Sequence, residues 1–332
     1  MRRILITGAA GFLGSNLSEA LVARGDEVIG LDNFSEAGQE NLTTLLGSER
    51  FSLVEGDVRD QATMQPLCDR VDAVVHLAAW KIPRYGNALK TLDVNGLGSY
   101  QVLSCAARRG VRTLIASTSD IYGRNPQVPF HEESASVIGS SQVKRWSYAI
   151  SKLFAEHLAW AFQQEHNLPV SVMRYFGGYG PHQRLSWTAG PQSVFITNAL
   201  HGEPLPLHGT GEQRRTFTYV SDLIDGTIRI LDEPRAIGEA INLGATTETR
   251  IVDLARLIWQ LIHGASSEPQ LTMVPYESFG GRYEDVQRRI PDVSKAQQLL
   301  GGLTASVSLE QGLAQTIAWQ RQQLAARQPS SV

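Results

Sequence analysis

Cysteine is almost missing from this chain: its 332 residues carry two, Cys68 and Cys105. Two thiols exclude a disulfide scaffold, and no CxxC pair or Cys/His spacing of zinc type occurs. Both are expected to be buried thiols, and no metal site is expected. Also missing is any apolar run near the ~20 residues of a membrane-spanning helix, so no membrane partner is expected. Charge of one sign is lacking as well. Thirty Lys+Arg face 33 Asp+Glu for a formal net charge of -3, and without basic blocks nucleic acid is not an expected partner. The basic start Met1-Arg2-Arg3 precedes only a short apolar run before Thr7-Gly8. That is too short for a signal peptide, so the segment reads as a first strand and the protein as cytoplasmic.

What the chain does have is glycine, 30 residues of it, and a regular rhythm. Apolar runs at Arg3–Thr7, Glu27–Leu31, Phe51–Glu55, Ala73–Leu77, Thr113–Ser117 and Val170–Arg174 alternate with amphipathic stretches such as Phe12–Arg24. Strands separated by helices imply βαβ units and a parallel sheet, and continuous apolar runs imply strands covered on both faces. The predicted fold is α/β: a Rossmann doubly wound parallel sheet with helices on both faces, plus a smaller mixed α/β substrate lobe. After Arg174 the alternation loosens and Gly and Pro become dense. We therefore place the Rossmann domain at 1–175 with a return segment near 215–245, and the lobe at 176–214 and 246–325. Helices are expected at Ile251–Ile262 and Glu310–Arg321. The Gln/Ala/Ser-rich end from Gln322 is expected to fray, with 326–332 as a tail.

Two motifs carry chemistry. Gly8-Ala9-Ala10-Gly11-Phe12-Leu13-Gly14 lies between the first strand and its helix, where glycines let the backbone approach a pyrophosphate and the helix N-terminus offers free N–H groups. Asp32 ends the second strand, placed to accept hydrogen bonds from an adenosine ribose diol and to favour NAD over NADP; the alternative is a loop-capping carboxylate. Asp57 follows the third strand in a position suited to contacting adenine. Tyr148 and Lys152, four apart, share a helix face, and a lysine ammonium there would depress the tyrosine pKa and make the phenolate a general base. Ser117, Thr118 and Ser119, directly after a strand, supply hydroxyls for a reacting sugar alcohol.

With His76-Leu77-Ala78-Ala79, Asn95, Arg174–Pro181, Gly211–Asp222 and Asp292–Ala296, these motifs make the whole chain resemble an extended short-chain dehydrogenase/reductase of the nucleotide-sugar epimerase/dehydratase/decarboxylase group. The resemblance implies tightly bound NAD, regenerated in each turnover, and transient oxidation of a sugar to a 4-keto intermediate. Tyr148 would take the hydroxyl proton, Thr118 would share its hydrogen bond, and Lys152 would hold the nicotinamide ribose. Phe12, Leu13, Asn33, Val58, Leu77, Ala78, Ala79, Asn95, Ser117 and Tyr175 complete the implied cofactor site. It also implies a homodimer, formed through helices around Leu89–Arg108 and Gln142–Gln163.

The reaction is where members of this group divide. Simple 4-epimerases usually carry a small or hydroxyl residue at the position of Asp120; decarboxylases and dehydratases carry Glu. Aspartate keeps the charge but is one methylene shorter, and the other role open to it is capping the next turn. Arg289 occupies the position of an arginine that meets the substrate carboxylate in bacterial UDP-glucuronate decarboxylases; its other reading is an ion pair with Glu284 or Asp285. Arg215 and Arg282 match positions that grip a nucleotide diphosphate, whereas Gly177 replaces the usual phosphate-contacting Asn. Trp187 either stacks on a base or sugar or packs, and Lys81 and Arg84 are placed to meet substrate. On this reading 4-epimerisation of a UDP-hexose or UDP-hexuronate leads. The alternative is decarboxylation of UDP-glucuronate, or dehydration, with Asp120 as acid/base.

Overall fold

In the computed structural model, which describes residues 1–81, 87–279 and 282–327, the apolar runs form strands β1 (Arg3–Thr7), β2 (Glu27–Asp32), β3 (Phe51–Glu55), β4 (Ala73–His76), β5 (Arg112–Thr118) and β6 (Val170–Tyr175). Each lies within one residue of its expected bounds. Helices α1 (Phe12–Arg24), α2 (Gln61–Cys68), α3 (Ala88–Ala107) and α4 (Trp146–His166) connect them. Beyond β6 come β7 (Gly178–Tyr179), α5 (Pro191–His201), β8 (Leu205–His208), β9 (Arg214–Thr216), β10 (Thr218–Tyr219) and α6 (Val220–Asp232). The chain then runs through β11 (Ala240–Leu243), β12 (Glu248–Arg250), α7 (Ile251–His263), β13 (Leu271–Val274), β14 (Arg288–Arg289), α8 (Ser294–Leu299) and α9 (Leu309–Arg327).

Seven strands make one sheet in the order β11-β6-β5-β4-β1-β2-β3, with every neighbouring pair parallel. This is the doubly wound Rossmann sheet. Strand order reverses between β1 and β4, which opens a crevice beyond their carboxyl ends. Successive residues of β1 serve opposite layers: Ile4 and Ile6 pack with Leu17 and Leu21 of α1. Leu5 packs with Met64, Leu67 and Val102 of α2 and α3. Burial on both faces is why the run lacks alternation.

The remaining strands form small sheets in the second lobe. β9 pairs antiparallel with β12 and parallel with β14, with Arg214 opposite Arg288 and Arg215 opposite Arg289. β8 pairs with β13, and Phe195, Leu254, Ile258, Leu313 and Ile317 join α5, α7 and α9 to the main core. The last helix runs past its expected end at Arg321: α9 continues to Arg327, anchored upstream where Gln320 donates to the Ser193 carbonyl at 2.9 Å.

Among the described residues no helix is long and apolar enough to cross a membrane, and no group of His, Cys, Asp and Glu is set to hold a metal ion. Cys68 and Cys105 are buried and unpaired by disulfide. One apolar face stays open to solvent: Leu89, Leu92, Leu97 and Tyr100 of α3 and Ile150 and Phe154 of α4 are each at least 40% exposed.

Candidate active site

The crevice encloses about 1930 Å³ of space open to solvent, walled by the loop after β1, the ends of β4 and β5, the first turns of α4 and the second lobe. At its floor Gly8 adopts φ 73. A Cβ there would lie 2.7 Å from the Ala78 nitrogen, and one on Gly14 would lie 2.0 Å from the Gly8 oxygen. Both positions therefore require glycine. Gly11 is the N-cap of α1 and offers no side-chain cap, so the amides of the first helical turn have no intrahelical acceptor. These features fit a pyrophosphate.

Phe12, Leu13, Leu77, Ala79, Ser117 and Tyr175 also line the crevice, while Ala78 contributes the backbone that presses on Gly8. The Tyr175 hydroxyl is tied to Thr227 at 2.6 Å. Asp32 accepts from the Ala10 and Phe34 amides, each at 2.9 Å, so it braces the glycine loop and its own loop at once. Burial pushes its carboxyl above the ordinary value against those amides. Asn33 donates to Asp57 at 3.0 Å, and Asp57 is held down to about 2, first by its hydrogen bond with Arg59. Val58 is buried beneath α3, against Gly98. Asn95 is buried. Its side chain accepts from the Trp80 amide at 2.7 Å and donates to Ser151 at 2.9 Å, which braces the strand exit.

At the catalytic end, Tyr148 and Lys152 enter from α4, with Thr118, Ser119 and Asp120 from the end of β5 and the turn after it. Lys152 is buried and donates to the Ala116 carbonyl at 2.9 Å. Burial, then the charge of Lys81, lower its pKa to about 8, against the attraction of Glu156. The expected depression of the tyrosine does not hold in this state. Burial pushes the Tyr148 phenol well above its ordinary value and Asp120 pushes it further, against a hydrogen bond with Thr118 and the charge of Arg289. The Lys152 ammonium is engaged with a carbonyl, and burial dominates the phenol. Ser117 is bonded to Glu156, which is locked to Arg174 through two contacts of 3.0 and 2.6 Å. This buried pair fixes the end of β5.

Three guanidiniums gather near Tyr148, Arg215 and Arg289 from β9 and β14 of the second lobe and Arg145 from the start of α4. Arg289 meets Asp120 at 2.7 Å and Ser119 at 3.4 Å, so it pairs with neither Glu284 nor Asp285, and Asp120 is more than a turn cap. Arg215 lies 3.4 Å from Asp285. Arg145 lies 3.0 Å from Asp285 and 3.7 Å from Asp120. Although burial opposes it, Arg215 and Arg145 hold the Asp285 carboxyl well below the usual range. Sequence reasoning passed over Arg145, and it weighed Asp285 only as an ion-pair partner of Arg289. The signal for Arg145 was its place one helical turn before Tyr148, on the same face; Asp285 had none.

Other expected contacts divide. Lys81 lines the crevice, and Arg84 lies outside the described residues. Arg282 is not on the cleft wall; it is exposed and donates to Gln142 at 2.7 Å. Trp187 lines the crevice yet stacks on His208, with centroids 3.8 Å apart, so its ring is already packed. Gly177 has φ 55, and a Cβ there would sit 1.8 Å from the Thr216 oxygen, which leaves no room for the usual Asn. It opens onto an adjoining recess of about 890 Å³ that Gln213, Arg215 and Asp285 also line.

Residues 4–244 match the NAD dependent epimerase/dehydratase family. The chain is 36% identical over 324 residues to the UDP-N-acetyl-alpha-D-glucosaminuronate decarboxylase of Bacillus cytotoxicus, covering 97% of this chain and 98% of that one. It is 38% identical over 327 residues to UDP-glucuronic acid decarboxylase 1 of Xenopus tropicalis, covering 97% and 73%. Among solved structures it resembles UDP-glucuronic acid 4-epimerase from Bacillus cereus in complex with UDP-glucuronic acid and NAD, with a TM-score of 0.86, 28% identity, and coverage of 97% and 99%. NAD is the cofactor whose pyrophosphate the Gly8–Gly14 cradle fits.

Proposed function

Because the chain belongs to the NAD-dependent epimerase/dehydratase family, we propose that it is an NAD-dependent decarboxylase of a nucleotide-linked hexuronate, either UDP-glucuronate or its 2-acetamido counterpart. One observation carries this reading: Arg289 reaches into the crevice beside Tyr148 and already holds a carboxylate, that of Asp120, at 2.7 Å. A guanidinium fork suits a sugar carboxylate equally well. Decarboxylases matching nearly the full length of the chain support the same choice, which reverses the order of preference drawn from sequence.

Gly8, Gly11 and Gly14 would hold the cofactor pyrophosphate and Asp32 its adenosine side. NAD, when bound, supplies the hydride acceptor for C4 and a fixed positive charge that favours the phenolate. Tyr148 Oη takes the C4 hydroxyl proton, with Thr118 sharing that hydrogen bond and Lys152 held beneath by the Ala116 carbonyl. Arg289 fixes the carboxylate on C5. With C4 a ketone, the bond from C5 to the carboxyl carbon breaks, CO₂ leaves, and its electron pair passes into the C4–C5 enolate. Asp120, which lines the crevice with Tyr148 and Arg289, relays a solvent proton to C5. Tyr148 would return its proton to the C4 oxygen, for which the bound cofactor would supply the hydride.

4-Epimerisation of the same acid is the second reading, favoured by the solved 4-epimerase that matches over almost its full length. Incubation with each UDP-hexuronate, followed by mass spectrometry, separates the two. Stoichiometric CO₂ release supports the decarboxylase, whereas an isomer of unchanged mass overturns it. The exposed apolar face of α3 and α4 supports assembly as a homodimer through those helices.

A further inference from the structure

Arg145 stands at the N-terminal boundary of α4, one turn before Tyr148. Its side chain is 12% exposed. One nitrogen, Nη1, is committed to Asp285 at 3.0 Å, the Tyr283 hydroxyl at 2.9 Å and the Glu284 carbonyl at 3.2 Å. The other terminal nitrogen, Nη2, lies 3.7 Å from Oδ1 of Asp120, just beyond hydrogen-bond reach. That same oxygen is the one Arg289 holds at 2.7 Å. One carboxylate oxygen thus lies between two guanidiniums, bonded to the first and within a small movement of the second. Nε of both Arg145 and Arg289 is buried with no hydrogen-bond partner among the described residues.

A ligand carboxylate that takes Arg289 must displace Asp120. A carboxylate left without compensation in a partly buried site is strongly unfavourable, so the exchange needs a receiving cation. Arg145 is fixed by Asp285, and closing its gap to Asp120 takes a shift of only about 1 Å to reach charge-assisted hydrogen-bond distance. We propose that Arg145 receives Asp120 when a sugar carboxylate occupies Arg289, and that this exchange makes Arg145 a positioning residue that sets selectivity for acidic over neutral nucleotide sugars. The inference rests on the proposed function only in placing the ligand carboxylate on Arg289. It holds whether the acid is decarboxylated or epimerised. Lys81 and Arg215 also act on Asp120 electrostatically, and Arg215 is already engaged with Asp285.

The test is calorimetric titration of NAD-loaded protein with UDP-glucuronate and UDP-glucose, in a Tyr148→Phe background so that neither ligand is consumed. Arg145→Gln should weaken UDP-glucuronate about tenfold, the size of one lost charged hydrogen bond, and leave UDP-glucose unchanged. Adding Asp120→Asn should restore the acid, because no charge then needs a receiver, and Arg145→Lys should recover part of the loss. Equal loss of both ligands, or a loss that survives Asp120→Asn, would overturn the exchange. So would a loss produced by Lys81→Gln and not by Arg145→Gln. Should Arg145→Gln not fold, Asp120→Asn alone must bind UDP-glucuronate more tightly than the parent; equal or weaker binding sinks the proposal. CO₂ release by the unaltered enzyme is a separate readout and tests only the proposed reaction.

Discussion

Arg215 and Arg289 are register partners in the parallel pairing of β9 with β14. Each belongs to an Arg-Arg dipeptide, and side chains of a strand alternate between its faces. Arg214 and Arg288 therefore turn outward to share Glu248, at 3.6 and 2.8 Å. Arg215 and Arg289 turn inward to Asp285 and Asp120. Two short strands convert twin dipeptides into one wall of paired guanidiniums facing Tyr148.

This arrangement makes neighbouring arginines unequal. Arg289→Gln should lower kcat/KM for a UDP-hexuronate by ~2–5 kcal/mol, the cost of truncating one partner of a buried charge pair. Arg288→Gln removes only an exposed ion pair, so activity should stay within about twofold. Steady-state assays of both variants check this; equal losses would remove Arg289 from substrate binding.

Tyr148→Phe deletes the phenolic oxygen proposed to take the C4 proton while leaving the ring in place. Turnover should vanish and bound NAD should remain, as read by absorbance of the purified protein. Measurable product would take Tyr148 out of the chemistry.

Lys152 adds a pH dependence. Its pKa is lowered to about 8 by burial, then by Lys81, so the ammonium is present at neutral pH and lost as pH rises through about 8. NAD affinity should fall over that range, by no more than about tenfold per pH unit for one proton. Lys152→Met should bind weakly with no such limb. An affinity that is flat through pH 8 in the parent protein would show that the ammonium does not hold the cofactor.

The first six strands could be read from sequence because burial on both faces leaves continuous apolar runs, and because Gly8, Gly11 and Gly14 sit where a strand meets a helix. β11 escaped notice. It is four residues, Ala-Ile-Asn-Leu, and its buried Asn242 accepts from the Tyr122 hydroxyl at 2.7 Å, a polar residue that masks a core strand. Tyr148, Lys152 and Thr118 were legible because they are local to one turn or one strand end. The pairing of Arg289 with Asp120 was not. It joins residues 169 positions apart, brought together by the β9–β14 pairing and by the bridge of Phe130 to Pro291 just after β14.

Gly177 ties local conformation to the group's usual phosphate contact. With φ 55 and a Cβ only 1.8 Å from the Thr216 oxygen, Gly177→Ala should cost ~1–3 kcal/mol for the backbone conformation alone, with the clash added. Gly177→Asn should be no better, because the longer side chain meets the same Thr216 oxygen. Thermal melting checks both, and an unchanged Tm for either would mean that the backbone relaxes freely here.

The α3–α4 face bears on assembly. Leu97 and Phe154 are 57% and 51% exposed, and Phe154 packs over Gly96, its ring carbon 3.7 Å from where a Cβ would be. Large apolar side chains clustered on adjoining helices are the composition of a buried interface core. Leu97→Asp with Phe154→Asp would place two carboxylates in that core, each repelled by its symmetry mate, while touching no cleft residue. Sedimentation should show a dimer for the parent protein and a monomer for the double variant, with NAD still bound. A parent that sediments as a monomer, or a double variant that stays dimeric, would move the interface elsewhere.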